Sequence, residues 1–270
     1  MPLKTIVVHV DASEATLARL ALALALAERH GALLRGVHAR GSIEFLSVYG
    51  EAAIGLIEAQ DRWASEQAAR SQELFHRTVA NASIPTEWRQ SSGDTVEVTA
   101  RHARNGDLLI AGQNPEAPAL IDRLLLAAGR PILVVPLSGG KPQFARVLVA
   151  WDGGREAARA VNDALPLLER AEQVTVLAVR EPESDLGAHG ETPCADICHH
   201  LARHGVKAKA AEARAEPGDA GNVLLTQAED LGSDLIVMGA YGHSRLREIV
   251  LGGVTRMVLR HMPVPVLLSH

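Results

Sequence analysis

Four glycines near the end of the sequence raise the first chemical question. Gly239, Gly242, Gly252 and Gly253 punctuate the stretch GAYGHSRLREIVLGGVTR, residues 239–256, which follows the apolar run DLIVM. A phosphate needs several backbone N–H groups converging on one point, and residues without a Cβ let the chain come that close. Gly252 and Gly253 stand before VTRMVLRH, whose Val254, Val258 and His261 fall on one helical face. Unpaired N–H groups at the start of such a helix, together with its dipole, favour an anion. Thr255 adds a hydroxyl in that first turn, suited to a helix cap or to a phosphate oxygen. A plainer reading stands beside this one, in which the glycines only ease a strand into a loop and cap the next helix. The spacing is not a Walker A motif, since no Gly-Lys-Ser/Thr follows, and its glycines lie too far apart for a Rossmann fingerprint.

Other reactive residues assemble less completely. Cys194 and Cys198 lie one helical turn apart with His199, His200 and His204 close by. Two ligands per helical face do not complete a tetrahedral metal site, so small buried thiols beside solvated histidines are the expected reading. His9 reads as a core or strand-end residue rather than a catalytic base, and no Ser-His-Asp set, paired carboxylates or metal motif points to a dedicated enzyme. The net charge of −5 argues against nucleic acid or an anionic membrane as a partner. The most apolar stretch, LALALALA at 20–27, is too short to span a bilayer and is flanked by Arg19 and Glu28. With no signal-peptide organisation and only two cysteines, the expected compartment is the cytoplasm.

The elements that must position the glycines come in duplicate. IVVHVDASEATLARLALALALA (6–27) parallels VLVAWDGGREAARAVNDALPLL (147–168), each an apolar strand ending in Asp (Asp11, Asp152) before an Ala- and Leu-rich helix. DLLIAG (107–112) matches DLIVMG (234–239), and PILVVP (131–136) matches PVLLSH (265–270). Three landmarks in one order predict two tandem domains, 1–137 and 144–270, joined through LSGGKPQ. In the first, strands are expected near 4–10, 33–38, 85–90, 107–111 and 132–136, with helices near 13–29, 46–80, 95–104 and 119–128. The second repeats this with strands near 146–151, 173–179, 206–213, 234–238 and 265–269, and helices near 155–170, 192–204, 219–231 and 253–261. Nearly continuous apolar strands alternating with helices predict an α/β fold, a doubly wound five-stranded parallel sheet in each half. Ligands of such sheets bind beyond the carboxyl ends of the strands where the order reverses, and Asp152 and the Gly239 loop both sit at such ends. The long second helix, carrying Trp63 and Phe75, is expected to face the core.

The Gly-x2-Gly-x9-Gly spacing, the Asp closing the first strand and the terminal PVPVLL together resemble the universal stress protein family, over nearly the whole chain as two tandem Rossmann-like domains. The resemblance implies an adenine nucleotide (ATP, ADP or AMP) in the C-terminal domain and a regulatory or protective role in the stress response, with at most slow ATP hydrolysis. It leaves open whether Mg²⁺ accompanies the nucleotide. On this resemblance Asp152 holds the adenine, with Ala150 and Val179 against the base. Met238, Gly239 and Gly242 follow the ribose and first phosphates. His243, Ser244, Gly252, Gly253, Val254 and Thr255 complete the phosphate side. The family has Ser or Thr where this chain has Gly253, which removes one hydroxyl contact unless Thr255 replaces it. An interaction protein of the same fold that binds no nucleotide is the alternative. The family also implies that the halves pack as a pseudo-dimer through their terminal strands, with homodimers of whole chains as a further step.

The repeat supplies its own control. From Gly112 to Pro131 there are 19 positions, against 26 from Gly239 to Pro265. The first half is therefore shorter in the region that would wrap phosphates, and it places Ala119, Leu120 and Asp122 opposite Gly252, Gly253 and Thr255. The N-terminal domain is expected not to bind ATP.

Overall fold

The computed structural model describes residues 2–41, 54–115, 117, 119–182, 194–241 and 253–270. The first half runs β1 (Thr5–His9), α1 (Ala15–His30), β2 (Leu33–Arg40), α2 (Ile54–Val79), β3 (Thr86–Ser92), α3 (Thr95–Ala103), β4 (Leu108–Gly112), α4 (Ala119–Ala128) and β5 (Ile132–Val135). The second half repeats the order as β6 (Arg146–Ala150), α5 (Arg155–Leu168), β7 (Gln173–Arg180), α6 (Ala195–Arg203), β8 (Ala208–Arg214), α7 (Ala220–Asp230), β9 (Leu235–Gly239), α8 (Gly253–His261) and β10 (Val266–Ser269). Each expected strand and helix is present within about three residues of its sequence position, save that residues 46–53 of the expected long helix lie outside the described residues. Local punctuation explains the boundaries: Gly31 ends α1 in the left-handed conformation, and the Asp94 carboxylate starts α3 by accepting from the N–H groups of Val96 and Glu97.

The two halves share one ten-stranded sheet in the order β3-β2-β1-β4-β5-β10-β9-β6-β7-β8. Neighbours within each half are parallel, and only β5 and β10 meet antiparallel, through Val134–Val266, Leu133–Leu267 and Ile132–Leu268. The terminal strands thus join the halves about a pseudo-twofold axis. Alternate strand residues feed two cores: Ile6, Val8, Leu133 and Leu267 face α1, α2, α5 and α6, while Val7, Ile132, Val134 and Leu268 face α3, α4, α7 and α8. The repeated aspartates do the same work in each half. Asp107 accepts from the backbone N–H groups of Lys4 and Thr5, and Asp234 from those of Ala145 and Arg146, pinning the start of β1 and β6.

As expected, the long helix α2 faces the core. Phe75 is buried, with its ring against the α-carbon of Gly36, where a Cβ would come within 2.6 Å. Trp63, twelve residues earlier, is 62% exposed, although its neighbour Ala64 in the same turn is buried, so Trp63 lies on another side of the helix. Among the described residues, no helix is long and apolar enough to cross a membrane.

Candidate functional site

In each half the strand order reverses beside the first strand, so a crevice forms at the carboxyl ends of β1 and β4, and of β6 and β9. In the C-terminal half, Asp152 lies two residues beyond β6, and its Oδ1 accepts from the Gly154 N–H at 2.8 Å. Gly153 takes a φ of +71°, which lets the chain turn straight into α5. Ala150 and Val179 lie half-buried at the ends of β6 and β7, with Met238 buried beneath at the end of β9.

Gly239 has a second duty that spacing alone does not reveal. A Cβ there would stand 2.6 Å from the Ala157 nitrogen and the Glu156 carbonyl carbon, so this glycine lets β9 touch the first turn of α5. The contact brings in Glu156, a residue the sequence reading missed. It is 6% exposed; burial raises its pKa, but bonding to Arg155 and to backbone outweighs that and leaves the carboxyl lowered. Its position in the first turn was the available signal, since acids suit a helix N-terminus.

Gly242, His243, Ser244 and Gly252 lie outside the described residues, as do Arg245 and Arg247. The phosphate side resumes at Gly253, the first residue of α8. Among the described residues, a Cβ on Gly253 would meet nothing within 4 Å. Val254 is exposed and Thr255 is buried in the first turn. Asp152, Gly239 and the start of α8 therefore belong to one end of one α/β unit. Glu156, in the first turn of α5, packs against Gly239 at that end.

The equivalent crevice of the N-terminal half is filled by its own side chains. Asp11 Oδ1 accepts from the Ser13 N–H at 3.0 Å and from the hydroxyls of Ser13 and Thr16. Its other oxygen meets the Arg19 guanidinium at 3.0 Å. Burial pushes the Asp11 carboxyl up, yet Arg19, His9 and these hydrogen bonds together hold it well below the usual carboxylate range. Arg19 is 3% exposed and lies directly over Gly112, where a Cβ would sit 2.0 Å from its Nη1. Thr16 accepts from the same guanidinium at 2.7 Å. The repeat aligns Arg19 with Ala160 and Gly112 with Gly239. In the first half the Arg19 guanidinium thus lies over the end of β4, where the second half has Ala160 at the aligned position. His9 is buried at the end of β1, and burial with Arg19 lowers its pKa to about 4.

Cys194 is buried and Cys198 half-buried, with His199 and His204 exposed. Burial pushes both thiols up, Cys194 to about 11, which keeps them protonated and poor as nucleophiles or ligands.

Comparison with known proteins now bears on this arrangement. Residues 143–270 match the universal stress protein family. The C-terminal half belongs to the universal stress protein family. A universal stress protein of Synechocystis sp. is 28% identical over 173 residues, which cover 60% of this chain and 57% of that protein. One from Methanocaldococcus jannaschii is 49% identical over 44 residues, 16% of this chain and 27% of that protein. The chain therefore matches less than two thirds of the length of either relative. The solved universal stress protein of Archaeoglobus fulgidus superposes with a TM-score of 0.73 at 16% identity, covering 98% of this chain and 95% of that one. The universal stress fold thus extends over both halves.

Proposed function

We propose that the C-terminal universal stress domain binds an adenine nucleotide at the crevice between Asp152 and the start of α8. Asp152 accepts from the base, the end of β9 follows the ribose, and the backbone of Gly253 to Thr255 faces the outer phosphates. The observation that carries this reading is the asymmetry of the repeat. Two halves with one topology differ at the crevice: in the first Arg19 lies across Gly112, and in the second Ala160 and the glycine spacing replace that cover. Glycines needed only to connect strand to helix would be needed in both halves. With 1–137 as a domain that binds no ATP and 144–270 as the domain that does, one nucleotide binds per chain. Occupancy then stabilises the domain by mass action and gives the protein a regulatory or protective role in the stress response.

Gly253 in place of a hydroxyl residue removes a hydrogen bond to a charged group, worth about 1.5–3 kcal/mol, so the nucleotide is held more weakly than with that hydroxyl. One observation favours a second reading, an interaction protein without nucleotide: the acidic Glu156 is buried and packs against Gly239. Arg155 pairs with it and offsets its charge. Calorimetric titration with ATP, ADP and AMP separates the two readings. The expected result is a single saturable site that is weakened at least tenfold by Asp152→Ala; no saturable heat from any of the three rejects the nucleotide reading.

A further inference from the structure

The N-terminal half touches the proposed nucleotide domain at two places that bear on α8. Gln113 directly follows β4, and its Nε2 donates to the carbonyls of Leu259 at 2.9 Å and Arg260 at 3.0 Å. Those carbonyls belong to the last turn of α8, where no further helical N–H remains to bond them. Gln113 is itself fixed within the first half. Its N–H donates to the Val135 carbonyl at 2.8 Å, and its Oε1 accepts from the Leu137 N–H at 3.2 Å. The second contact runs the opposite way across the pseudo-twofold axis. Tyr241, two residues beyond β9 and at a φ of +70°, donates its hydroxyl to the Asp122 carbonyl in α4 at 3.2 Å. The Asp122 side chain lies within the field of Arg256 on α8.

We infer that Gln113 is a positioning residue for the phosphate end of the C-terminal site, so that the half without a site of its own sets the affinity of the other. The inference rests on the nucleotide reading above. A nine-residue helix is a rod of roughly 13 Å, so a displacement of its last turn is carried to its first. Gln113 holds the last turn of α8, and the first turn carries Gly253, Val254 and Thr255. Tyr241 fixes the departure of the chain from β9 to the same half. Loss of the Gln113 bonds therefore shifts the N–H groups that face the outer phosphates and leaves the base end at Asp152 in place.

The test uses the full chain and two ligands. Gln113→Leu is expected to weaken ATP roughly five- to tenfold, the equivalent of losing one or two net hydrogen bonds. AMP, which does not reach the start of α8, is expected to bind within about twofold of the native chain. Gln113→Lys replaces the neutral amide donor with a cationic one beside the last carbonyls of α8 and is expected to restore most of the ATP affinity. A purely structural defect would weaken ATP and AMP together. Equal losses for the two ligands, or ATP binding unchanged in Gln113→Leu, overturn the inference while the nucleotide reading stands. A native chain that binds neither ligand rejects the nucleotide reading and this inference with it.

Discussion

The Arg19–Asp11 pair that covers the N-terminal crevice permits a quantitative test. The charges lie 3.0 Å apart, Arg19 with 4% and Asp11 with 33% of its side chain exposed. At an effective dielectric constant of about 20, Coulomb's law gives an attraction of about 5.5 kcal/mol. Desolvating the guanidinium and the partial exposure of Asp11 consume much of that, so about 2–3 kcal/mol of coupling is expected to survive. The perturbation is a double-mutant cycle of Arg19→Met and Asp11→Asn. Methionine keeps the buried stem without the charge, and asparagine keeps an acceptor for Ser13 and Thr16. Urea denaturation of the four proteins at pH 7 reads the cycle. Arg19→Met alone is expected to be the costliest change, because it leaves a carboxylate in a buried cluster without the cation that faces it. Moderate salt should change the coupling little, since the guanidinium is buried. A coupling below about 0.5 kcal/mol would refute the view that this crevice is closed by charge pairing.

Two further outcomes follow from single sites. Burial lowers both His9 and His30 to about 4, assisted by Arg19 at the first and by Arg170 and Arg29 at the second. Their stabilisation is complete above the unfolded value near 6.5 and is lost as pH falls towards 4, because the unfolded chain takes up the protons first. Each group should contribute a slope of roughly 1.4 kcal/mol per pH unit in that window, and a His30→Leu series of urea melts without a flatter slope would contradict it. Gly239→Ala should cost about 1–3 kcal/mol because its Cβ meets the α5 backbone at 2.6 Å. Gly253→Ala, whose Cβ meets nothing within 4 Å among the described residues, should stay within about 0.5 kcal/mol, and equal thermal shifts for the two would be inconsistent with the geometry.

The architecture was legible because it is written in local, repeated signals. Apolar runs such as IVVHV and DLIVM mark strands buried on both faces, and the paired aspartates Asp107 and Asp234 recur because both pin a strand start. The Arg19 cover was not legible. Arg19 lies eight residues beyond Asp11 on a helix read as a plain Ala- and Leu-rich face, and only the fold brings its guanidinium over Gly112, ninety-three residues away. Glu156 was missed for the same reason, since its burial depends on the close approach that Gly239 permits. Trp63 is exposed while Ala64, Ala68 and Phe75 form the buried side of α2, a choice that the mixed apolar spacing did not settle. Sequence periodicity finds faces; long-range neighbours decide which polar groups share one.

The junction argues that the two halves do not persist separately. β5 and β10 carry ILVV and VLLS, without a charged residue or a proline, and every residue of both is buried. Separation would turn each into an apolar edge strand with unpaired backbone groups, the type of surface that soluble proteins protect. The helix ends reinforce the join reciprocally: Arg29 donates to the Arg170 carbonyl at 3.2 Å, and Arg170 to the Arg29 carbonyl at 2.7 Å. Each guanidinium thus satisfies the end of the other half's helical segment, so removing either half strips a cap from the one that remains. A duplicated unit held this way is free to lose its own ligand site provided it keeps its strand, its caps and Gln113. Such a half still serves, through β5, Arg29 and Gln113, as the wall against which the C-terminal domain is built.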